Sequence, residues 1–421
     1  MTDTSVPSRA GATRWTCPFC LLLCDTSTVQ VDASGALTLS GPGCACARRA
    51  LTRFTARPSM ASPRVDGQDC SLDQAVAAAA RVLAASRQPL FGGLGTDVSG
   101  ARALYRLACK TGAISDAAEG AALMNTLRAT QDRGSFFTTL AEVRTRADLL
   151  LCIGGTPVDQ APEFFERCGV GEALVPQRQV VVLGGSGADD AVLADLRTRP
   201  GVTAASIPLH GDLFATVALL SALVAGRAVR DAPAALQSLA TQLQQARYAV
   251  IVGETRRLPS QGALIVEGLH RMVNTLNQHT RAAALWLGGG NGAGTVNQVF
   301  TWLSGLPLRS RAGPLGLEHE PLCFDAQRLL DEQAVDSLLW VSSFDPEVAP
   351  PSTTLPTVML GHPDLAASRA SVFIPVSTPG IGSPGHLFRA DGSVVLPLFA
   401  IHDDGLPTLA NVVDRIAGTL A

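Results

Sequence analysis

Lysine is all but missing from this chain of 421 residues: of 33 basic side chains, every one except Lys110 is arginine. The formal net charge is −3. A binder of phosphate backbones needs a clustered positive surplus, so nucleic acid is excluded as a main partner. No uninterrupted apolar run reaches about 18 residues, which excludes a membrane-spanning helix. The opening MTDTSVPSRAGATRW is polar and lacks the apolar core of a signal peptide, so a cytoplasmic location is expected. Seven histidines (His210, His270, His279, His319, His362, His386 and His402) show neither His-x-His nor His-Glu-x-x-His spacing, which argues against a zinc hydrolase site. No Gly-x-Ser-x-Gly elbow precedes a helix. The loops Gly92–Gly95, Gly154-Gly155, Gly184–Gly187 and Gly288–Gly290 follow apolar runs, but none completes Gly-x-Gly-x-x-Gly with a later acidic residue. They read as tight strand-to-helix turns.

Charged residues make up only 16% of the chain and hydrophobic ones 47%. That composition builds a large core, and it suits either a well-packed globular protein or one that covers part of its surface with partner subunits. Ser71–Gln74 reads as an N-cap and first turn, leading an Ala-rich helix to about Ala85. Buried strands are expected at Pro89–Leu94, Asp148–Ile153, Gln179–Leu183, Tyr248–Val252, Ala284–Leu287, Ser337–Val341, Thr357–Leu360 and Ser371–Val376. Helical patterns lie between them, as at Asp212–Ala225 and Ala234–Arg247. Continuous apolar strands alternating with helices predict an α/β fold with parallel sheets covered on both faces. A hairpin is expected at the N-terminus, Thr28–Asp32 turning through Ala33-Ser34-Gly35 into Ala36–Leu39.

Ten cysteines in a cytosolic chain of this length do not suggest a disulfide framework. Five of them fall between Cys17 and Cys46. Cys17, Cys20 and Cys24 form a C-x2-C-x3-C run, and Cys44 and Cys46 follow. Such spacing lets one loop wrap three corners of an iron–sulfur cluster while a distant Cys closes it. Zinc held by four thiolates, or thiols packed without metal as small hydrophobes, remain open. Cys152 lies inside an apolar strand and reads as core.

The run Thr16–Asp25 (TCPFCLLLCD) resembles the opening of the B subunit of formylmethanofuran dehydrogenase, a family of molybdopterin/tungstopterin oxidoreductases. The match continues in order along the chain. Thr139–Asp148 resembles the family's T-L-G-E-V-K-N-R-A-D and leads to Gly154–Pro157. Asn297–Pro307 resembles N-Q-V-L-T-W-x-T-G-Y-P. Val335–Pro346 resembles E-V-D-A-x-L-I-V-x-x-D-P, and Ile374–Val376 with Gly380, Gly385, Arg389 and Asp391 resembles the closing I-P-V…G…G…R-x-D. The resemblance implies parallel-sheet domains of the molybdopterin oxidoreductase type with a small Cys-rich β domain. The expected ranges are 1–65 for that domain, 66–120 with 293–421 for an α/β domain built from two segments, and 121–292 for an inserted α/β domain. It also implies a four-iron–four-sulfur cluster on Cys17, Cys20, Cys24 and a later Cys; Cys44, followed by Ala47 and Leu51, fits the family spacing better than Cys46.

One departure bears on function. In redox-active members a Cys or selenocysteine ligates the metal twelve residues before the glycine that precedes the T-L-G-E-V segment. Counting back from Gly134 lands on Ala122. Alanine cannot coordinate molybdenum or tungsten, so no pterin metal is expected. The same pattern belongs to the B subunit of bacterial formyltransferase/hydrolase complexes. The implied function is a non-redox structural subunit, without catalysis of its own, of a complex that handles formyl groups between tetrahydromethanopterin and methylofuran. Its partners would be an amidohydrolase A subunit, a C subunit and a formyltransferase D subunit, with surface arginines toward a polyglutamate tail. The competing expectation is a pterin-dependent formylmethanofuran or formate dehydrogenase subunit with an unusual metal ligand.

Overall fold

The computed structural model describes residues 13–41, 43–365 and 370–420. The polar stretch ahead of Thr13, on which the expectation of no signal peptide rests, lies outside the described residues. The chain divides into two compact units. The first comprises the chain up to Ala118, Gly290–Phe388 and the chain from Val395. The second comprises Glu119–Gly289 and Arg389–Val394. The Cys-rich N-terminal segment is thus part of the first unit, and the short turn 389–394 is counted with the second.

In the first unit, a nine-stranded sheet has a parallel centre. Its strands Ile114–Ser115, Pro89–Gly95, Ser337–Ser342, Thr357–Gly361 and Val372–Pro375 lie in that order. Antiparallel pieces close both edges, Ser310–Gly313 with Gly316–His319 on one side and Arg64–Val65 with Gln68–Asp69 on the other. The central strands are buried along their whole length, which is why they read as continuous apolar runs. Trp340 packs against Gly92, where a Cβ would stand 2.9 Å from its ring, so a side chain there would have to displace the indole. The expected helix Leu72–Ala85 forms, and its capping box is complete: Ser71 Oγ accepts from Gln74 N–H and Gln74 Oε1 accepts from Ser71 N–H. The N-terminal hairpin also forms, with Ser27–Val31 pairing antiparallel to Leu37–Ser40. Thr13–Trp15 adds a third strand to it.

In the second unit, five parallel strands run in the order Val202–Ile207, Arg178–Leu183, Leu149–Ile153, Tyr248–Glu254 and Arg281–Leu287. Leu220, Leu239, Leu269 and Met272 from the helices pack on Leu149, Leu151 and Ile251 of the sheet. Arg178 is buried at 1% exposure because its guanidinium is spent on backbone carbonyls of Cys168, Val143 and Arg144. Strand order reverses between Leu149–Ile153 and Tyr248–Glu254, since the chain goes outward from the first of these before returning to its other side. That reversal sets a crevice at the C-terminal strand ends. No helix among the described residues is long and apolar enough to cross a membrane.

Candidate functional site

The N-terminal thiols of the first unit follow from the sequence, and the sheet crevice of the second unit follows from its strand order. The loop Cys17–Cys24 is closed by backbone bonds, Cys17 N–H to Cys24 O at 2.9 Å and Leu23 N–H to Cys20 O at 3.2 Å. Leu23 takes a left-handed φ of 47° to turn the loop. Cys17 and Cys44 are buried among Trp15, Val29, Leu37 and Leu51. Cys20 and Cys24 are half-buried. Cys44 is the N-cap of the helix Ala45–Leu51, with its Sγ accepting from Ala47 N–H at 3.4 Å. Cys46 Sγ donates to Phe19 O at 3.7 Å.

The thiols share one electrostatic neighbourhood. Burial pushes the Cys17 thiol well above its ordinary value, and Cys44, Cys24 and Cys46 add to the rise. A hydrogen bond with Cys24, then burial, pushes Cys20 the same way. Burial also raises Cys46. Four of these thiols, Cys17, Cys20, Cys24 and Cys44, come from one loop and one helix start, and thiolate sulfur is a soft donor. No group of three or more His, Cys, Asp or Glu among the described residues is arranged around a metal position. No disulfide joins the cysteines.

Asp189 and Arg257 lie at the C-terminal strand ends of the second unit. Asp189, 5% exposed, lies at the start of the helix Ala188–Thr198. Its Oδ1 accepts from Thr156 N–H at 2.7 Å and Thr156 Oγ1 at 2.6 Å, and its Oδ2 from Ser186 N–H at 2.8 Å and Ser186 Oγ at 3.3 Å. Burial works to raise this carboxyl, but those four donors prevail and hold it below the usual aspartate value. An anion position of the kind that helix starts and glycine loops offer to a ligand is thus occupied by a resident carboxylate. Beside it Arg257 reaches Thr156 O at 3.1 Å, pairs with Glu254 at 2.7 Å and also pairs with Asp159. Burial raises the Glu254 carboxyl, and Arg257 opposes the rise. The sequence reading missed Arg257 and Glu254. The signal available was a charged run, Glu254–Arg257, directly after an apolar strand.

Ala122 sits in the first turn of the helix Gly120–Arg133, whose N-cap Glu119 makes no capping bond and pairs instead with Arg256 at 3.0 Å. Its partly buried methyl carries no donor atom. The motif residues behind the resemblance hold the fold together. Thr139 caps the helix Leu140–Arg146. Asp148 accepts from Arg247 N–H and Tyr248 N–H. Asn297 Oδ1 accepts from Leu308 N–H. Asp336 takes Arg87 N–H and Gln88 N–H, and Asp391 takes Leu140 N–H. His386 is exposed on the strand Gly385–Phe388, and Asp403 and Asp404 accept from backbone N–H groups of a turn.

No family model matches the chain. It is 31% identical over 368 residues to the B subunit of the formyltransferase/hydrolase complex Fhc of Methylorubrum extorquens, covering 85% of this chain and 97% of that relative. It is 24% identical over 413 residues to the B subunit of the tungsten-containing formylmethanofuran dehydrogenase 2 of Methanocaldococcus jannaschii, covering 89% and 90%. The counterpart of the same name in Methanococcus maripaludis is 24% identical over 409 residues, covering 89% and 91%. A chain in the crystal structure of the Methylorubrum extorquens formyltransferase/hydrolase complex with methylofuran superposes with a TM-score of 0.74 at 30% identity, covering 85% of this chain and 98% of that one.

Proposed function

The chain belongs to the B-subunit family of formyltransferase/hydrolase and formylmethanofuran dehydrogenase complexes, and from that membership we propose that it is a non-redox structural component of a formyltransferase/hydrolase complex. The complex would move formyl groups between tetrahydromethanopterin and methylofuran on the way from formaldehyde to formate. Amidohydrolase, C and formyltransferase subunits would be the chain's partners, in the cytoplasm. Surface arginines would face a carrier's polyglutamate tail. The three sequence modules 1–65, 66–120 with 293–421, and 121–292 are retained as inherited building blocks of that frame.

One observation carries the non-redox reading: Ala122 stands where redox members place the metal-ligating sulfur. A methyl group has no lone pair to give a metal. Elemental analysis of the purified complex, with a viologen-linked formate oxidation assay, tests the reading. Tungsten and molybdenum far below one atom per chain and no viologen reduction are expected; stoichiometric metal with formate oxidation would overturn it.

For the thiols, Cys17, Cys20, Cys24 and Cys44 are the residues that would hold a four-iron–four-sulfur cluster. Bound there, the cluster would contribute its binding energy to the fold as a staple. Iron near four atoms per chain with thiolate-to-iron absorption supports this; iron-free protein of unchanged stability refutes it.

A further inference from the structure

In the second unit a cavity of about 490 Å³ opens at the N-terminal ends of the neighbouring strands Tyr248–Glu254 and Arg281–Leu287, the end of the sheet remote from Gly155 and Arg257. Sites for small organic ligands span roughly 300–1,000 Å³. The small side chain of Ala283, on the same strand face as Arg281, leaves space open along the edge strand. A neighbouring segment is tied to that strand, with Ala284 N–H donating to Phe136 O at 2.8 Å and Thr138 N–H to Ala284 O at 3.1 Å. The tie holds Phe136 and Phe137 at the rim, 50% and 51% exposed, with Leu174 at 61%. Phe137 packs edge-on against His270 with ring centroids 5.6 Å apart, which leaves Phe136 and Leu174 as the apolar side chains half in water at the cavity rim.

The polar lining is unbalanced. Arg146, Arg247 and Arg281 face a single carboxylate, Glu142. Arg146 pairs with Glu142 and Arg247 with Asp148, each at 3.4 Å and with both guanidinium side chains mostly exposed. Contacts of that kind are weak and easily exchanged. The exposed Arg281 guanidinium has no hydrogen bond or ion pair with another side chain among the described residues. Tyr248, its register partner on the adjacent strand, donates its hydroxyl to Thr138 Oγ1 at 2.7 Å. A guanidinium recognises carboxylate or phosphate through two parallel hydrogen bonds, and phenyl rings favour an offset or edge-on aromatic partner.

We propose that this cavity binds a small anion on an aromatic body, the anionic group on Arg281 and the ring against Phe136. The assignment rests on the second unit alone and is independent of the family reading. Calorimetric titration of the full chain, within its complex, uses phenyl phosphate, benzyl alcohol and inorganic phosphate as probes. Phenyl phosphate is expected to bind in the micromolar to low millimolar range, with each of the other two at least about tenfold weaker, because each lacks half of the recognition. Arg281→Ala, at an exposed position, is expected to weaken phenyl phosphate about tenfold. Thr145→Trp, on an exposed helix position lining the cavity, is expected to abolish binding with the melting temperature unchanged. No heat with phenyl phosphate, equal binding of inorganic phosphate, or binding indifferent to both substitutions would overturn the assignment.

Discussion

Arg257 lies so close over Gly155 that a Cβ on the glycine would stand 2.6 Å from its Nη1. Gly155 also has φ of 136°, a conformation in which side chains are strained. Gly155→Ala is therefore expected to cost about 2–3 kcal/mol, from the clash and the backbone together. Arg257→Ala in the same background removes the clash but also the ion pair to buried Glu254, so the double variant is expected to stay well below the parent, with the φ strain remaining. Urea unfolding of the two variants measures both losses; full recovery in the double variant would refute the strain argument.

Asp189 makes stability depend on acid. Its folded-state value lies below the ordinary 3.8, so its ionised form contributes stability that is complete above the unfolded value and is lost as pH falls through the folded one. Asp189→Asn keeps the shape but not the charge. It should lower stability at neutral pH by about 1–3 kcal/mol and flatten the acid limb of the melting-temperature profile below about pH 4. Parallel profiles for the two proteins would count against this.

In the first unit, Arg309 is 3% exposed and takes a left-handed φ of 62°. Its Nε donates to Asp116 Oδ1 at 3.2 Å, and it also reaches Asp325 and Pro321 O. Asp116→Ala leaves a buried guanidinium short of one partner and should cost about 3 kcal/mol. Adding Arg309→Met should recover part of that loss. An additive double variant in chemical unfolding would show that the two side chains do not act as a pair.

Ala122→Cys restores a sulfur without restoring a metal site. The complex carrying it is expected to form formate at the parental rate and to gain no tungsten or molybdenum. A lowered rate would place this helix start against the reacting carrier and end its reading as scaffold.

The candidate site was only partly legible. The thiol run from Cys17 to Cys46 is a sequence fact, because it depends on spacing within a short stretch. The grouping of Asp189, Thr156 and Arg257 at the strand ends was not legible, since Arg257 meets Thr156 from 101 positions away. The cavity near Arg281 was equally hidden: its lining comes from five separate stretches between Phe136 and Ala283. The edge strand Val202–Ile207 was also missed, because only Val202 in it is fully buried, so no continuous apolar run marks it.

By itself the sequence determined the elements that local chemistry dictates. Ser71 and Gln74 can satisfy the first N–H groups of one helix and no other. The apolar runs at Leu149–Ile153 and Ser337–Ser342 can be buried on both faces only inside a parallel sheet. The ordered motifs from Cys17 to Asp391 determined the family. Tertiary structure alone decided the strand order, the carboxylate that occupies the helix start at Asp189, and the loop that brings Phe136 beside Ala284. These are pairings between distant segments, chosen by shape and charge once the sheet exists, and no local pattern encodes them.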